Sequence, residues 1–146
     1  MSKPKTGDVV YTPDWVAQDM VAHFNPQGAI LEPCKGAGVF LKYLPPTTDW
    51  CEIQEGRDFF LYDKHVDWVI SNPPYSLTRK WFLHSYKIAD NILYLVPVWK
   101  PFLSFGLINS TYQFGGIKEI RLYGTGGSIG FPMGNAVGAF HIQKAF

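Results

Sequence analysis

The chain has 146 residues, 47% of them hydrophobic and 17% charged, with a net charge of +1. That is one domain's worth of sequence, long enough to bury a core without disulfides, and no apolar run approaches the roughly 20 residues that span a bilayer. Two cysteines, Cys34 and Cys51, are too few for a disulfide framework, and the N-terminal MSKPKTGDVV lacks the apolar region of a secretory signal, so a soluble cytoplasmic protein is expected.

Residues 13–24, PDWVAQDMVAHF, place Trp15, Val16, Met20 and Phe24 near helical spacing, with Thr12 as the expected N-cap and Pro13 at the first helical position. GAILEP follows as a short strand ending in an acid and a proline. CKGAGVFLKYL then predicts a glycine turn opening a helix that Pro45 and Pro46 stop. DWCEI is a second strand, VDWVIS a third, LTRKWFLHSYKIA a helix and NILYLVPV a fourth strand. PFLSFGLINSTYQF is predicted helical, IKEIRLY a strand, GTGGSIGFPMG a glycine-rich loop and AVGAFHIQK the last strand. Strands alternating with helices predict a mostly parallel α/β sheet, closed by an antiparallel C-terminal hairpin because the last loop has no room for a helix. Between Ile53 and Val66 there is too little chain for a helix and a strand, so a sheet reduced by about one strand is expected. The charge is uneven: 9 Lys/Arg against 11 Asp/Glu up to Trp99, then 4 against 1 from Lys100. Any polyanion-facing surface is therefore expected to involve the C-terminal third.

Ligands of such sheets bind beyond the carboxyl ends of the strands, and three unusual stretches fall there. The first is LEPCKGAGVF, where Gly36 and Gly38 let the backbone turn tightly and a ligand approach closely. It lacks the third glycine of a dinucleotide fingerprint and the Gly-Lys-Ser/Thr of a phosphate loop, and a charge on Glu32 would repel pyrophosphate. A cationic or zwitterionic nucleoside fits better. The second is Glu52, able to accept both ribose hydroxyls, followed by GRDFF, whose Asp58 can accept from an adenine amino group while one of Phe59 and Phe60 covers the base. The third is SNPPYS. Pro73 and Pro74 carry no N–H, so the corner offers carbonyls, and the Asn72 side chain adds another. Two acceptors, the Asn72 side chain and the Pro73 carbonyl, can hold the two hydrogens of a planar NH₂ while Tyr75 stacks on its ring. Each stretch also has a plain structural reading as a tight turn or a solvated strand end.

The chain resembles the S-adenosylmethionine-dependent DNA adenine N6-methyltransferases, particularly the small phage-type ones. YTPDWVAQDMV is similar to their N-terminal motif, LEPCKGAGVFL to their cofactor motif and SNPPYS to their catalytic motif; with EIQEGRDFF the resemblance runs from Tyr11 to about Val98. The ending GFPMGNAVGAFHIQK is similar to the closing hairpin of phage members. The resemblance implies a Rossmann-like class I methyltransferase fold over residues 1–146, as one catalytic domain without a separate target-recognition domain. It implies Tyr11, Thr12 and Pro13 beside the methionine moiety, Glu32, Pro33, Gly36 and Gly38 in the cofactor turn, and Phe40 beside the adenosine. Glu52 falls on the ribose, Asp58 and Phe59 on the cofactor adenine, Asn72 and Pro73, with Pro74, on the target amine, and Tyr75 on the flipped base. To these the position after the fourth strand adds Trp99 and Lys100 for the base pocket or a phosphate. The implied partner is double-stranded DNA with base flipping, with a homodimer or a separate specificity subunit as a further partner; site preference is then loose, supplied by the YGTGGSIGFPMGN loop or supplied by a second subunit.

Rival readings keep the chemistry and change the acceptor. Protein glutamine and RNA-base methyltransferases share Asn-Pro-Pro-Tyr, since each acceptor presents the same planar NH₂. A non-catalytic remnant that binds nucleic acid is a third reading, although Gly36, Glu52 and Asn72 are all retained. No metal is expected, because His23, His65, His84 and His141 share no ligand spacing with Cys, Asp or Glu, and Cys34 and Cys51 have no base beside them. Lys35 either meets a methionine carboxylate or points outward.

Overall fold

The structure, a computed structural model, describes residues 11–130 and 134–146. The described helices and strands run α1 (Asp14–Phe24), β1 (Ile30–Glu32), β2 (Asp49–Trp50), β3 (Val66–Ser71), α2 (Thr78–Ile88), β4 (Ala89–Pro97), α3 (Phe105–Phe114), β5 (Gly115–Thr125) and β6 (Ala136–Lys144). The strands join in one sheet of order β2-β1-β3-β4-β6-β5, with β1 to β4 parallel and β6 antiparallel to both β4 and β5. This is the expected mostly parallel sheet with an antiparallel C-terminal hairpin. The segment between β2 and β3 holds two 3₁₀ turns, Ile53–Glu55 and Phe59–Leu61, and no strand, as its length required. Part of the predicted glycine-rich loop, residues 131–133, lies outside the described residues, as does the N-terminal stretch 1–10.

The sheet is buried by helices on both faces. β4 reads as a near-continuous apolar run, and seven of its nine residues, Ala89 and Ile92 to Pro97, are buried, which is the pattern of a strand covered on both sides. On one face Trp81 and Phe82 of α2 meet the ring of Tyr94, whose hydroxyl is hydrogen-bonded to Ser85 Oγ at 2.5 Å. Tyr94 pairs with Phe140 across the antiparallel ladder, so its neighbour His141 faces the other side. There His141 stacks on Trp68 and meets Phe24 of α1 edge-on. Burial holds the His141 imidazole neutral, its pKa down to about 4, and its Nε2 is 2.9 Å from Asn91 Oδ1. His23, His65 and His84 are likewise paired, with Glu119, Asp90 and the Tyr62 carbonyl. Among the described residues no helix is long and apolar enough to cross a membrane.

Two local expectations are corrected. Pro13, not Thr12, caps α1, through its carbonyl, which accepts from the Val16 and Ala17 N–H groups. The stretch after Gly38 makes only isolated turns, with Lys42 N bonding Gly38 O and Leu44 N bonding Phe40 O, and never becomes a regular helix. Gly38 is in the left-handed region (φ +86°) and Pro45 stops the chain seven residues later; a helix that short does not recover its nucleation cost.

The hairpin of β5 and β6 depends on close backbone approach at Gly115. A Cβ there would sit 2.0 Å from the Gln143 carbonyl oxygen and 2.6 Å from the Ala145 nitrogen. Gly115→Ala is expected to destabilise the fold by about 1–3 kcal/mol, while Gly127→Ala, whose Cβ would meet nothing within 4 Å, leaves the unfolding midpoint in urea near that of the parent. Equal midpoints for the two variants would contradict this packing.

Candidate active site

Strand order creates the site. The chain leaves β1 toward β2 and returns across it to β3, so β1 and β3 diverge at their carboxyl ends, the place where open parallel sheets bind ligands. Glu32 ends β1, Cys51 and Glu52 follow β2, Asn72 follows β3, and Trp99 and Lys100 follow β4. All the predicted stretches except the N-terminal motif thus arrive at one edge of the sheet.

The turn after β1 is held by its own carboxyls. Glu32 is only 1% exposed and accepts the Cys34 N–H through Oε1 at 2.7 Å. Burial pushes its pKa up to about 8, against a pull downward from the Ser71 hydroxyl and the Cys34 N–H and a further push from Glu52. It is therefore mostly protonated at neutral pH, which corrects the expectation that its charge repels pyrophosphate. Glu52 accepts from Gly36 N through Oε1 at 3.0 Å and from Gln54 N through Oε2 at 3.1 Å. A carboxylate oxygen has two lone pairs, so each retains an acceptor position for a ribose hydroxyl. Gly36 (φ +51°) and Gly38 (φ +86°) both need the left-handed region, and a Cβ at either would point into open space. Lys35 does not face the turn: its Nζ lies 2.8 Å from Glu55 and over the Trp50 ring.

Beside this turn is an open cleft. Its walls include Pro33, Asp58, Phe59 and Pro74, all anticipated from the sequence, and also Cys34, Ile53, Phe60, Leu77 and Trp81. Pro33 and Cys34 of the cofactor turn and Pro74 of the Asn-Pro-Pro-Tyr corner thus line the same cleft. Phe59 is 3% exposed and stacks on Trp81 at 4.5 Å, so it forms the floor, and Phe60 beside it is half-buried. Asp58 Oδ1 accepts the Phe60 N–H at 3.0 Å, which fixes the acid at the cleft rim. Trp81 was missed because its spacing on α2 predicts only core. Its Nε1 is buried and has no hydrogen-bond partner among the described residues, an arrangement that costs free energy unless a ligand accepts the proton.

The remaining predicted residues are placed as follows. Tyr11 is 69% exposed, Thr12 and Pro13 are half-buried ahead of α1, and Phe40 is packed in the core at 2% exposure. Asn72 is half-buried, and Pro73 and Pro74 are buried. Tyr75 departs from expectation. Its ring is turned into the core at 8% exposure, and burial raises its pKa well above the usual phenol range. Lys100 departs too: Nζ donates to the Tyr75 carbonyl at 2.9 Å, so it braces the corner from behind. Trp99, 45% exposed, stands at the rim with Lys100 Nζ over its ring.

No protein-family model matches the chain, and no curated protein matches it. Solved structures do. A protein of Pyrococcus horikoshii, provisionally described as an RNA methyltransferase, superposes with a TM-score of 0.68 at 14% identity, over 100% of this chain and 93% of that one. The M protein of the type I restriction enzyme EcoKI gives 0.67 at 12% identity, over 94% of this chain and 44% of that one. A Listeria monocytogenes protein, provisionally described as a class I S-adenosylmethionine-dependent methyltransferase, gives 0.63 at 15%, over 95% and 62%. At these identities the likeness establishes the fold, which is the Rossmann-like class I methyltransferase fold.

The buried Glu32 makes stability depend on pH. Its folded pKa of about 8 lies above the usual 4.5, so the folded state binds the proton more tightly. Stability is full below about pH 4.5 and is lost at about 1.4 kcal/mol per pH unit as pH rises toward 8. Glu32→Gln keeps an acceptor for the Cys34 N–H without titrating. Relative to the parent, its melting temperature is expected to gain between pH 5 and pH 8; parallel curves would refute a buried, protonated Glu32.

Proposed function

We propose that the chain transfers a methyl group from S-adenosylmethionine to the exocyclic N6 amine of adenine in DNA. One observation carries this reading: the Asn72-Pro73-Pro74-Tyr75 corner and the Glu32–Gly38 turn lie at adjoining strand ends and share one cleft, with Pro33 and Cys34 on one side and Pro74 on the other. Cofactor chemistry and amine chemistry need that adjacency, because the two reacting atoms must be held within contact distance.

The residues present fit the cofactor. Both Glu52 oxygens keep lone pairs for ribose hydroxyls, Gly36 and Gly38 leave the space a Cβ would fill, and Trp81, whose buried Nε1 has no hydrogen-bond partner among the described residues, lines the cleft with Ile53, Phe60 and Leu77. S-adenosylmethionine, when bound, supplies an electrophilic methyl on a sulfonium centre. The Asn72 side-chain carbonyl and the Pro73 carbonyl accept the two N–H bonds of the target amine, which draws the nitrogen lone pair out of the ring and aims it. As the new nitrogen–carbon bond forms, the methyl's bond to the sulfonium sulfur breaks and leaves a neutral thioether; the nitrogen becomes cationic and then loses one of its carbonyl-bonded hydrogens as a proton to water, so no strong base is needed. Fixed carbonyl dipoles facing the developing positive charge supply the stabilisation. Tyr75 would have to swing from its buried position to stack on the base, while Lys100 keeps its backbone carbonyl in place.

Two of the structural neighbours support a nucleic acid as acceptor: the M protein of EcoKI, a DNA adenine enzyme, and the Pyrococcus horikoshii protein described as acting on RNA. The DNA reading follows the N-terminal YTPDWV and the order of the motifs. Incubation of purified protein with isotopically labelled S-adenosylmethionine and either unmethylated DNA, RNA or cell extract, followed by mass spectrometry of digests, tests it. Label is expected on N6 of deoxyadenosine and is expected to vanish in Asn72→Ala, while calorimetry still detects cofactor binding. Full turnover by Asn72→Ala would sink the mechanism, and label confined to RNA or protein would move the activity to another planar NH₂.

A further inference from the structure

The outer face of α3 is apolar where a surface helix is normally polar. Phe105, Ile108 and Tyr112 lie at i, i+3 and i+7, one stripe of the helix, and are 85%, 44% and 81% exposed, while Leu107 and Thr111 on the opposite side are buried against the fold. The 3₁₀ turn Lys100–Phe102, together with Leu103, continues the stripe toward the site, with Phe102 and Leu103 each 49% exposed and Trp99 45%. A contiguous exposed apolar patch of this kind marks an interaction surface.

Its surroundings say what it meets. Residues 76–88 and 98–114, which carry this face and the α2 helix packed beside it, contain Arg79, Lys80, Lys87 and Lys100 and no Asp or Glu. The Arg79 guanidinium lies against the start of α3, 3.4 Å from where a side chain on Gly106 would begin. A second copy of the chain docking here about a two-fold axis would bring these like charges together. A polyanion would be attracted. The stripe is also continuous with the proposed active corner: it begins at Trp99, next to the Lys100 whose Nζ bonds the Tyr75 carbonyl at 2.9 Å, and α3 then runs away from the carboxyl edge of the sheet for about 10 Å between Phe105 and Tyr112.

We propose that this face is a binding track for single-stranded DNA: unpaired bases beside the target stack on Trp99, Phe102, Phe105 and Tyr112 while Arg79 and Lys80 draw in the phosphates. The proposal rests on the methyl-transfer reading for the identity of the acceptor and deepens it, because it states that the strand reaches the site unpaired. Flat aromatic side chains interleaved with cations are the platform that single strands use; a duplex keeps its base faces stacked inside and offers such rings nothing.

The test measures fluorescence anisotropy of a labelled, adenine-containing DNA strand about a dozen nucleotides long, of its duplex and of the RNA of the same sequence, with the full chain at low and moderate salt. The single DNA strand is expected to bind about tenfold or more tighter than the duplex, with affinity falling as salt rises. The double variant Phe105→Ala/Tyr112→Ala is expected to weaken it about 5- to 100-fold, with calorimetric S-adenosylmethionine binding unchanged as the check that the fold is intact. Equal binding of strand and duplex, preference for RNA, or no loss in the double variant would overturn the proposal. So would a concentration-dependent dimer in sedimentation that Phe105→Asp dissolves, since the face would then join two chains. Failure of each reading is separable. If no methyl transfer occurs but strand binding and its loss in the double variant persist, the methyl-transfer reading falls alone. If transfer proceeds on duplex DNA and the double variant leaves it unchanged, the track falls alone.

Discussion

The site depends on the double pairing of β1. This strand is three residues long, yet Leu31 pairs in parallel with Asp49 on one side and Val69 on the other, and all three residues are buried. Parallel partners on both edges oblige the chain to cross over twice, once before β2 and once before β3, and the crossovers diverge just past Glu32. A ligand-sized gap at that point is a consequence of the topology, because no backbone can fill it without breaking one of the two ladders. The glycine turn, the two 3₁₀ turns after β2 and the double proline after β3 are the three walls that the sequence builds around it.

Rigidity is distributed to suit that gap. The strands beneath it are the most deeply buried in the molecule, with Val69, Ile70, Ser71, Leu93, Tyr94 and Leu95 without exposed surface. The walls, by contrast, are held by a few hydrogen bonds each: Asp58 to the Phe60 N–H, Glu52 to the Gly36 and Gln54 N–H groups, and Thr78 Oγ1 and Lys100 Nζ to the Tyr75 carbonyl. Tyr75 has two anchors on its backbone and, for its buried hydroxyl, no partner among the described residues. A phenol left unsatisfied in the core costs free energy that a partner for its hydroxyl would recover.

Much of this was legible in the chain because the relevant signals were local. Residues 136–144 form a short apolar run between a glycine-rich loop and the chain's last residues, and β6 occupies those nine positions. Pro73 and Pro74 after an apolar run read as a rigid corner at a strand end, whereas the strand expected over residues 49–53 ends at Trp50 and Glu52 caps the 3₁₀ turn Ile53–Glu55. What was not legible depended on which way a side chain faces once the sheet is assembled. Phe59 and Phe60 are adjacent and chemically identical, and only the 3₁₀ turn Phe59–Leu61 decides that the first goes under Trp81 and the second lines the rim. Trp81 shares α2 with Phe82, and periodicity marks both as core without revealing that one of them borders an opening. The protonated state of Glu32 is invisible in sequence for the same reason: it arises from complete burial beside Ser71 of the neighbouring strand.

The protonation of Glu32 also changes why this turn refuses a dinucleotide. If the acid carries a proton at neutral pH, charge repulsion cannot be the reason. The backbone supplies a better one. A phosphate-binding turn works by presenting unpaired N–H groups to the anion, and here those groups are already used: Cys34 N donates to Glu32, Lys35 N to the Cys51 carbonyl, Gly36 N to Glu52, and Gly38 N to the Lys35 carbonyl. The turn therefore presents oxygen acceptors to the cleft in place of donors. A ligand that offers hydroxyl and amino hydrogens, with positive rather than negative charge at its reactive end, is the one such a surface can satisfy, and the glycines serve close approach of that ligand without any anion to hold.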